Sequence, residues 1–262
     1  MKWHRISGFI YRHWLEIRAS IDRKADVFFF PIIDILVFGF LSSYVSQGQG
    51  RPGLAFGILA GIVFWTLLYN LQRDISFSLL DDVWTRNIFN LYSTPLRLSE
   101  IITGTLLLSF SKACLTTATI VLIVTGFFHL PILHLGWHLA LYLMELFAFG
   151  WAFGFFTSGI ILRYGTRAQA LAWSLILVLY PFSGALYPLS VLPKAIAMIA
   201  AFIPVSYIFE GVRGFFQTGT SLSGHQIIIM TALNVVYLTG AVTYYLRGHA
   251  KAKDRGWFVH PT

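Results

Sequence analysis

Six apolar runs, at about 27–46, 53–71, 101–125, 138–162, 169–187 and 226–247, take up about half of the chain and decide what it can fold into. A hydrocarbon core about 30 Å thick takes roughly 20 helical residues to cross, and backbone at that depth must satisfy its own polar groups. The pattern therefore predicts an all-α integral membrane protein with six transmembrane helices. Only 11% of its 262 residues are charged, against about 25% in a soluble domain. What lies between the runs is too short for a soluble catalytic domain, so residues 1–262 read as one transmembrane domain. Cys114 is the single cysteine, which excludes an internal disulfide and a multi-cysteine metal site.

The formal charge of +8 is unevenly placed. Fifteen of the nineteen Lys and Arg residues fall in the amino-terminal segment, the 72–100 loop, the 163–168 loop and the carboxy-terminal end. The alternate side holds only Arg51, Lys194 and Arg213. By the positive-inside rule both termini are cytoplasmic, in a multi-pass protein of the cell (plasma or inner) membrane. Lipid headgroups account for the positive charge, and nucleic acid is not called for.

Residues 1–26 carry Glu16, Asp22 and Asp26 and lack a continuous apolar core, so they do not read as a signal peptide. Trp3, Ile6, Ile10, Trp14, Ile17 and Ile21 recur at spacings of three and four, opposite Arg5, Arg12, Glu16 and Arg23. This is an amphipathic helix lying along the interface. Residues 72–97, in the longest inner loop, have mixed charge with Ile75, Leu79, Val83, Ile88 and Leu91 at helical spacing, and Pro95 ends them. They read as a cytoplasmic helix that docks on a partner, with Asp81, Asp82 and Arg86 for specificity and Val83 and Trp84 as apolar anchor. Residues 248–262 form a cytoplasmic tail. The small-residue pairs Gly57/Gly61 and Gly150/Gly154 read as close helix packing.

The stretch Tyr180 to Arg213 is as apolar as a span yet contains Pro181, Pro188, Pro193 and Pro204. Each proline removes a donor and disfavours helix in the residue before it. On the charge-derived topology this stretch reaches the outer surface, and residues 188–216 are expected to form a re-entrant pair of short helices. Pro193 and Pro204 would start or stop them. Such a pair beside a translocation route serves as an outer gate.

The segment "SGALYPLSVLPKAIAMIAAFIPVSYIFEGVR", Ser183 to Arg213, resembles the hallmark segment of type-2 ABC exporter permeases at Gly184, Pro188, Leu192, Pro193, Pro204, Tyr207, Glu210 and Arg213. "RNIFNLYSTPLRLSEIITG", Arg86 to Gly104, is similar to that family's coupling segment at Leu91, Thr94, Pro95, Leu96, Glu100 and Gly104. The resemblance implies a permease subunit paired with a second copy and with two cytoplasmic ABC ATPases. In that arrangement Glu100 ties the coupling helix to the bundle. No G-x-x-x-x-G-K-[ST] phosphate loop is present, so the chain is read as a transporter and not an enzyme. It binds no cofactor itself, and ATP and magnesium belong to the partner. The implied cargo is amphipathic, lipid-like or drug-like. Lipid-linked polysaccharide or oligosaccharide is the alternative, because Ile17 to Phe40 departs from the basic, aromatic pattern of glycan exporters.

Asp34, Lys112 and Glu145 fall inside spans, where an ionisable group needs a partner or a wet surface. Counting helical rise from the inner edge puts Lys112 and Glu145 at similar depth on antiparallel neighbours, which predicts an ion pair between them. His129, His134 and His138 read as interfacial residues of an outer loop, and no metal site is assigned.

Overall fold

The computed structural model describes residues 2–49, 52–85, 87, 90 and 93–254. The chain runs through α1 (Trp3–Ala19), then a turn at Ile21–Lys24 and a π-helical stretch at Ala25–Phe29 that lead into α2 (Phe30–Gln49). There follow α3 (Pro52–Trp84), α4 (Leu98–Gly126), α5 (Trp137–Tyr164), the broken helical run α6 (Leu171–Ser183), α7 (Lys194–Ala200), α8 (Pro204–Thr218) and α9 (Gly224–Asp254). No strand occurs among the described residues. This is a multi-pass all-α membrane protein: five helices are long and apolar enough to cross a bilayer, or six if the bent pair α7 and α8 counts as one.

α3 is the axis of the bundle, with 72% of its apolar window buried against 17% for α9 and 28% for α2. Leu59, Ile62, Val63, Phe64, Leu67, Leu68 and Leu71 point all round it and are all at most 2% exposed. A helix apolar on every side must be enclosed, and α2, α4, α5 and α8 pack on it while α9 lies along α5. The glycine pairs serve this packing. A Cβ at Gly61 would collide with the Ala185 carbonyl oxygen, and one at Gly57 would press on Arg213. Gly150 and Gly154 on α5 receive Leu71, Gln72 and Ile75 of α3.

The stretch expected as a fifth span, 169–187, is a shorter run. α6 is helical only over Leu171–Ser183, and its middle, Leu175–Leu179, is a 3-10 helix. At about 2 Å rise per 3-10 residue and 1.5 Å elsewhere it covers roughly 22 Å, less than the hydrocarbon core. It stops at Gly184, whose φ of +74° lies in the left-handed region that a side chain disfavours. Beyond it Pro193 is the N-cap of α7 and Pro204 stands at the first turn of α8, with a 102° bend between the two helices.

Candidate functional site

α3 is 33 residues long, about 50 Å at 1.5 Å per residue and so some 20 Å longer than a hydrocarbon core. Its last turns carry the residues expected to dock a partner. The expected separate helix at 72–97 is, over 72–84, the unbroken continuation of α3. Gln72 looks in sequence like the start of a hydrophilic loop, yet it is fully buried. Its amide donates to Ser76 Oγ at 3.1 Å, Thr157 Oγ1 at 3.3 Å and the Ala172 carbonyl at 2.9 Å, tying α3 to α5 and α6. With no Gly or Pro between Gly61 and Trp84, nothing interrupts the helix. Arg86 lies outside the described residues.

α1 is clamped to this extension along its length. Asp82 accepts from Arg12 at 2.9 Å and from the Asn87 amide at 2.9 Å, and Asp81 pairs with Arg23 at 3.2 Å. Glu16 sits between Arg12, His13 and Arg23 at 3.5, 3.0 and 2.9 Å. The His13 hydrogen bond, helped by the neighbouring positive charges against the opposing effect of burial, holds its carboxyl below the usual 4.5. At the other end Glu100, only 1% exposed, accepts from the backbone N–H groups of Lys2 at 2.7 Å and Arg97 at 3.0 Å, with the Arg5 guanidinium 3.7 Å away. Arg5 also donates to the Pro95 carbonyl. Among Asp81, Asp82, Val83, Trp84 and Glu100 only Trp84 is exposed, its indole N–H on Gln169 Oε1 at 3.1 Å and its ring beside Phe77.

The face of α1 differs from the expected one. Ile6, Phe9, His13 and Ile17 are the buried set, whereas Trp3 is 68% and Ile21 81% exposed. The helix leans on α4, where Phe9 fills the space left by Gly104. The basic edge thereby turns toward the carboxylates of α3 and α4 instead of water.

The expected Lys112–Glu145 pair does not form. Lys112 bonds Asp74 at 2.7 Å, while Glu145 accepts from Thr231 at 2.5 Å and Asn234 at 2.6 Å on α9. Equal depth did not mean facing sides: α4 rests on α1 and α3, and α5 on α3 and α9. Asp34 is on an exposed face of α2, without a hydrogen bond or ion pair among the described residues and within electrostatic range of Arg73.

At the opposite end the residues named from the proline-rich segment converge. Arg213, 4% exposed, donates to Glu210 Oε1 at 2.7 Å and to the carbonyls of Gly184 at 2.5 Å and Ala185 at 3.3 Å. The Leu189 N–H, next to Pro188, bonds the same Glu210 oxygen at 2.9 Å. Tyr207 closes the turn before α8 by donating to the Ala201 carbonyl at 2.9 Å. The end of α6, the 188–193 link and α8 are thus one hydrogen-bonded unit.

Compared with known families, residues 7–216, from α1 to the last turn of α8, match the family model of the ABC-2 type transporter. The chain belongs to the ABC-2 type transporter family. No curated protein matches it. This ABC-2 protein is a membrane-spanning transport component and not itself an enzyme. Within it, the clamp holds α1 to α3 and α4 through several ion pairs, and the Arg213 unit holds the end of α6 to α8. Sequence reading named the carboxylates of the clamp but missed their partners. It also missed Gln72 and His13, whose only available signal was a polar residue on an otherwise buried helix face.

Proposed function

We propose that this ABC-2 protein is one of two permease subunits, the second a copy of itself, in an exporter driven by two separate cytoplasmic ABC ATPases that bind ATP and magnesium. It would carry amphipathic, lipid-like or drug-like cargo out of the cytoplasm or inner leaflet of the cell membrane, with both termini in the cytoplasm. Export of a lipid-linked polysaccharide or oligosaccharide is the second reading. The observation that carries the proposal is the build of the charged end. A separate ATPase can do work on the spans only through a stiff element, and the end of α3, continuous with the central span and braced by α1 and the start of α4, is one. Trp84 offers the exposed aromatic of a docking surface.

In this reading Asp81 and Asp82 act by locking α1 to α3, and Glu100 by joining both to α4. The Arg213 unit at the far end would be the outer gate, its two short helices re-entering the outer leaflet. The test is capture of an ABC ATPase by the tagged protein expressed with its genomic neighbours, followed by ATP-driven efflux from vesicles. Trp84→Ala should reduce ATPase retention and transport, and Glu100→Gln should keep the ATPase yet lose transport. Full retention and transport in both variants would remove this end as the coupling element.

A further inference from the structure

Where the bend between α7 and α8 meets the start of α9, a pocket of about 180 Å3 opens that none of the roles above uses. Leu189, Leu222 and the Tyr207 ring line it, with three hydrogen-bonding side chains, Ser206, Glu210 and Gln226. Each of the three has capacity left among the described residues. Ser206 is 1% exposed and its hydroxyl has no partner. The Leu189 N–H and Arg213 both use Oε1 of Glu210, leaving Oε2. Gln226 accepts through Oε1 from the Ser223 N–H and hydroxyl, leaving its amide N–H2 group. A buried hydroxyl without a partner is unfavourable, so its place in a cavity wall points to a ligand.

The kind of ligand follows from the donors, acceptors and charge. Arg213 lies 2.7 Å from Glu210, so the pocket has no net negative charge and gives a cation little advantage. A neutral ligand with several hydroxyls can donate to Glu210, accept from Gln226 and do either with Ser206. Tyr207, held by its bond to Ala201, presents a fixed flat wall for the C–H face of a ring. At about 180 Å3 the cavity has room for one ring. We propose that this pocket binds a single hydroxyl-bearing ring, a sugar or similar polyol headgroup, of the molecule being moved. The link to cargo rests on the export reading, but the binding does not.

The test uses the full chain in phosphatidylcholine nanodiscs and saturation-transfer NMR with n-octyl β-D-glucoside. Tetraethylene glycol monooctyl ether is the tail-matched control and methyl β-D-glucopyranoside the soluble competitor. The expected result is saturable contact through the sugar ring, displaced by the competitor. Ser206→Ala should weaken it at least fivefold without lowering the thermal midpoint, since that hydroxyl has no partner, and Gln226→Leu should weaken it as much while also loosening the first turn of α9, where it caps the Ser223 N–H. Equal binding of the ether control, stronger binding of octyltrimethylammonium, or unchanged affinity in both variants would overturn the proposal. Glucoside binding by a chain that captures no ATPase would keep the pocket and remove the export reading.

Discussion

The two ends of the bundle hold their charges in opposite ways. At the charged end Arg12, Glu16, Arg23, Asp81 and Asp82 form several side-chain ion pairs, each about a third exposed or less, and the load is shared. At the proline-rich end one guanidinium, 4% exposed, serves a carboxylate and two backbone carbonyls at once. Shared, partly wet pairs can open one at a time at small cost, about 0–1 kcal/mol each. A buried charge stripped of its partners costs about 3–5 kcal/mol. The first arrangement lets α1 loosen from α3 in steps, and the second ties the end of α6, the 188–193 link and α8 into one body.

The largest expected effect is therefore at Arg213. Arg213→Met should lower stability by about 2–4 kcal/mol, because the buried Gly184 and Ala185 carbonyls lose their shared donor while Glu210, 38% exposed, can turn to water. Arg213→Lys should recover only part of it, since an ammonium cannot reproduce the planar fork. Thermal unfolding followed by size-exclusion chromatography reads this, and a drop under 1 kcal/mol for Arg213→Met would erase the contrast between the ends.

Next in size is the contact that seats the proline-rich segment on α3. Gly61→Val should cost about 1–3 kcal/mol, because the added atoms meet the Ala185 carbonyl oxygen, which is backbone and cannot swing aside. Gly240→Ala, where a Cβ meets nothing within 4 Å, should be close to neutral in the same assay. Equal effects would mean that this packing does not hold the segment.

Lys112 sharpens the comparison from the charged side. A double-mutant cycle of Lys112→Met with Asp74→Asn should give a coupling of about 0.5–1.5 kcal/mol, and the same cycle with Glu145→Gln nearly none. Coupling to Glu145 instead would restore the pairing read from depth alone.

The smallest effects belong to the clamp. Asp82→Asn should change stability by no more than about 1 kcal/mol while speeding hydrogen exchange in α1, which it helps to pin. Glu16 adds a pH dependence of known sign. Its folded-state pKa is depressed, so its contribution is complete above the ordinary 4.5 and is lost as pH falls below that. Protection of α1 amides, corrected for intrinsic rate, should fall below pH 4.5 in the wild type and much less in Glu16→Gln. Identical profiles would detach Glu16 from the clamp.

Much of the fold was legible because membrane helices are specified by length and apolarity, and prolines by their missing N–H. Helix boundaries at Pro193 and Pro204 and the runs that became α2 to α5 and α9 could all be read along the chain. The residues of the Arg213 unit were named through the resemblance of Ser183 to Arg213 to the hallmark segment of type-2 ABC exporter permeases, not through any spacing rule. What could not be read was orientation around a helix axis. Lys112 and Glu145 share a depth but not a direction, and the apolar arc of α1 was wide enough to pack on α4 at Phe9 and His13 instead of Trp3 and Ile21.

The sequence alone determined that the chain lives in a membrane, which residues are apolar enough to cross it and where the backbone must break. Those are properties of a residue and its near neighbours in the chain. Tertiary structure decided which carboxylate meets which cation, that Gln72 lies in the core, that the expected fifth span is a short, partly 3-10 run, and that Ser206 is left without a partner in a cavity wall. Those depend on the rotation and tilt at which helices dock. Many apolar faces pack nearly as well as one another, so the choice among them rests on a few glycines and buried polar groups far apart in sequence.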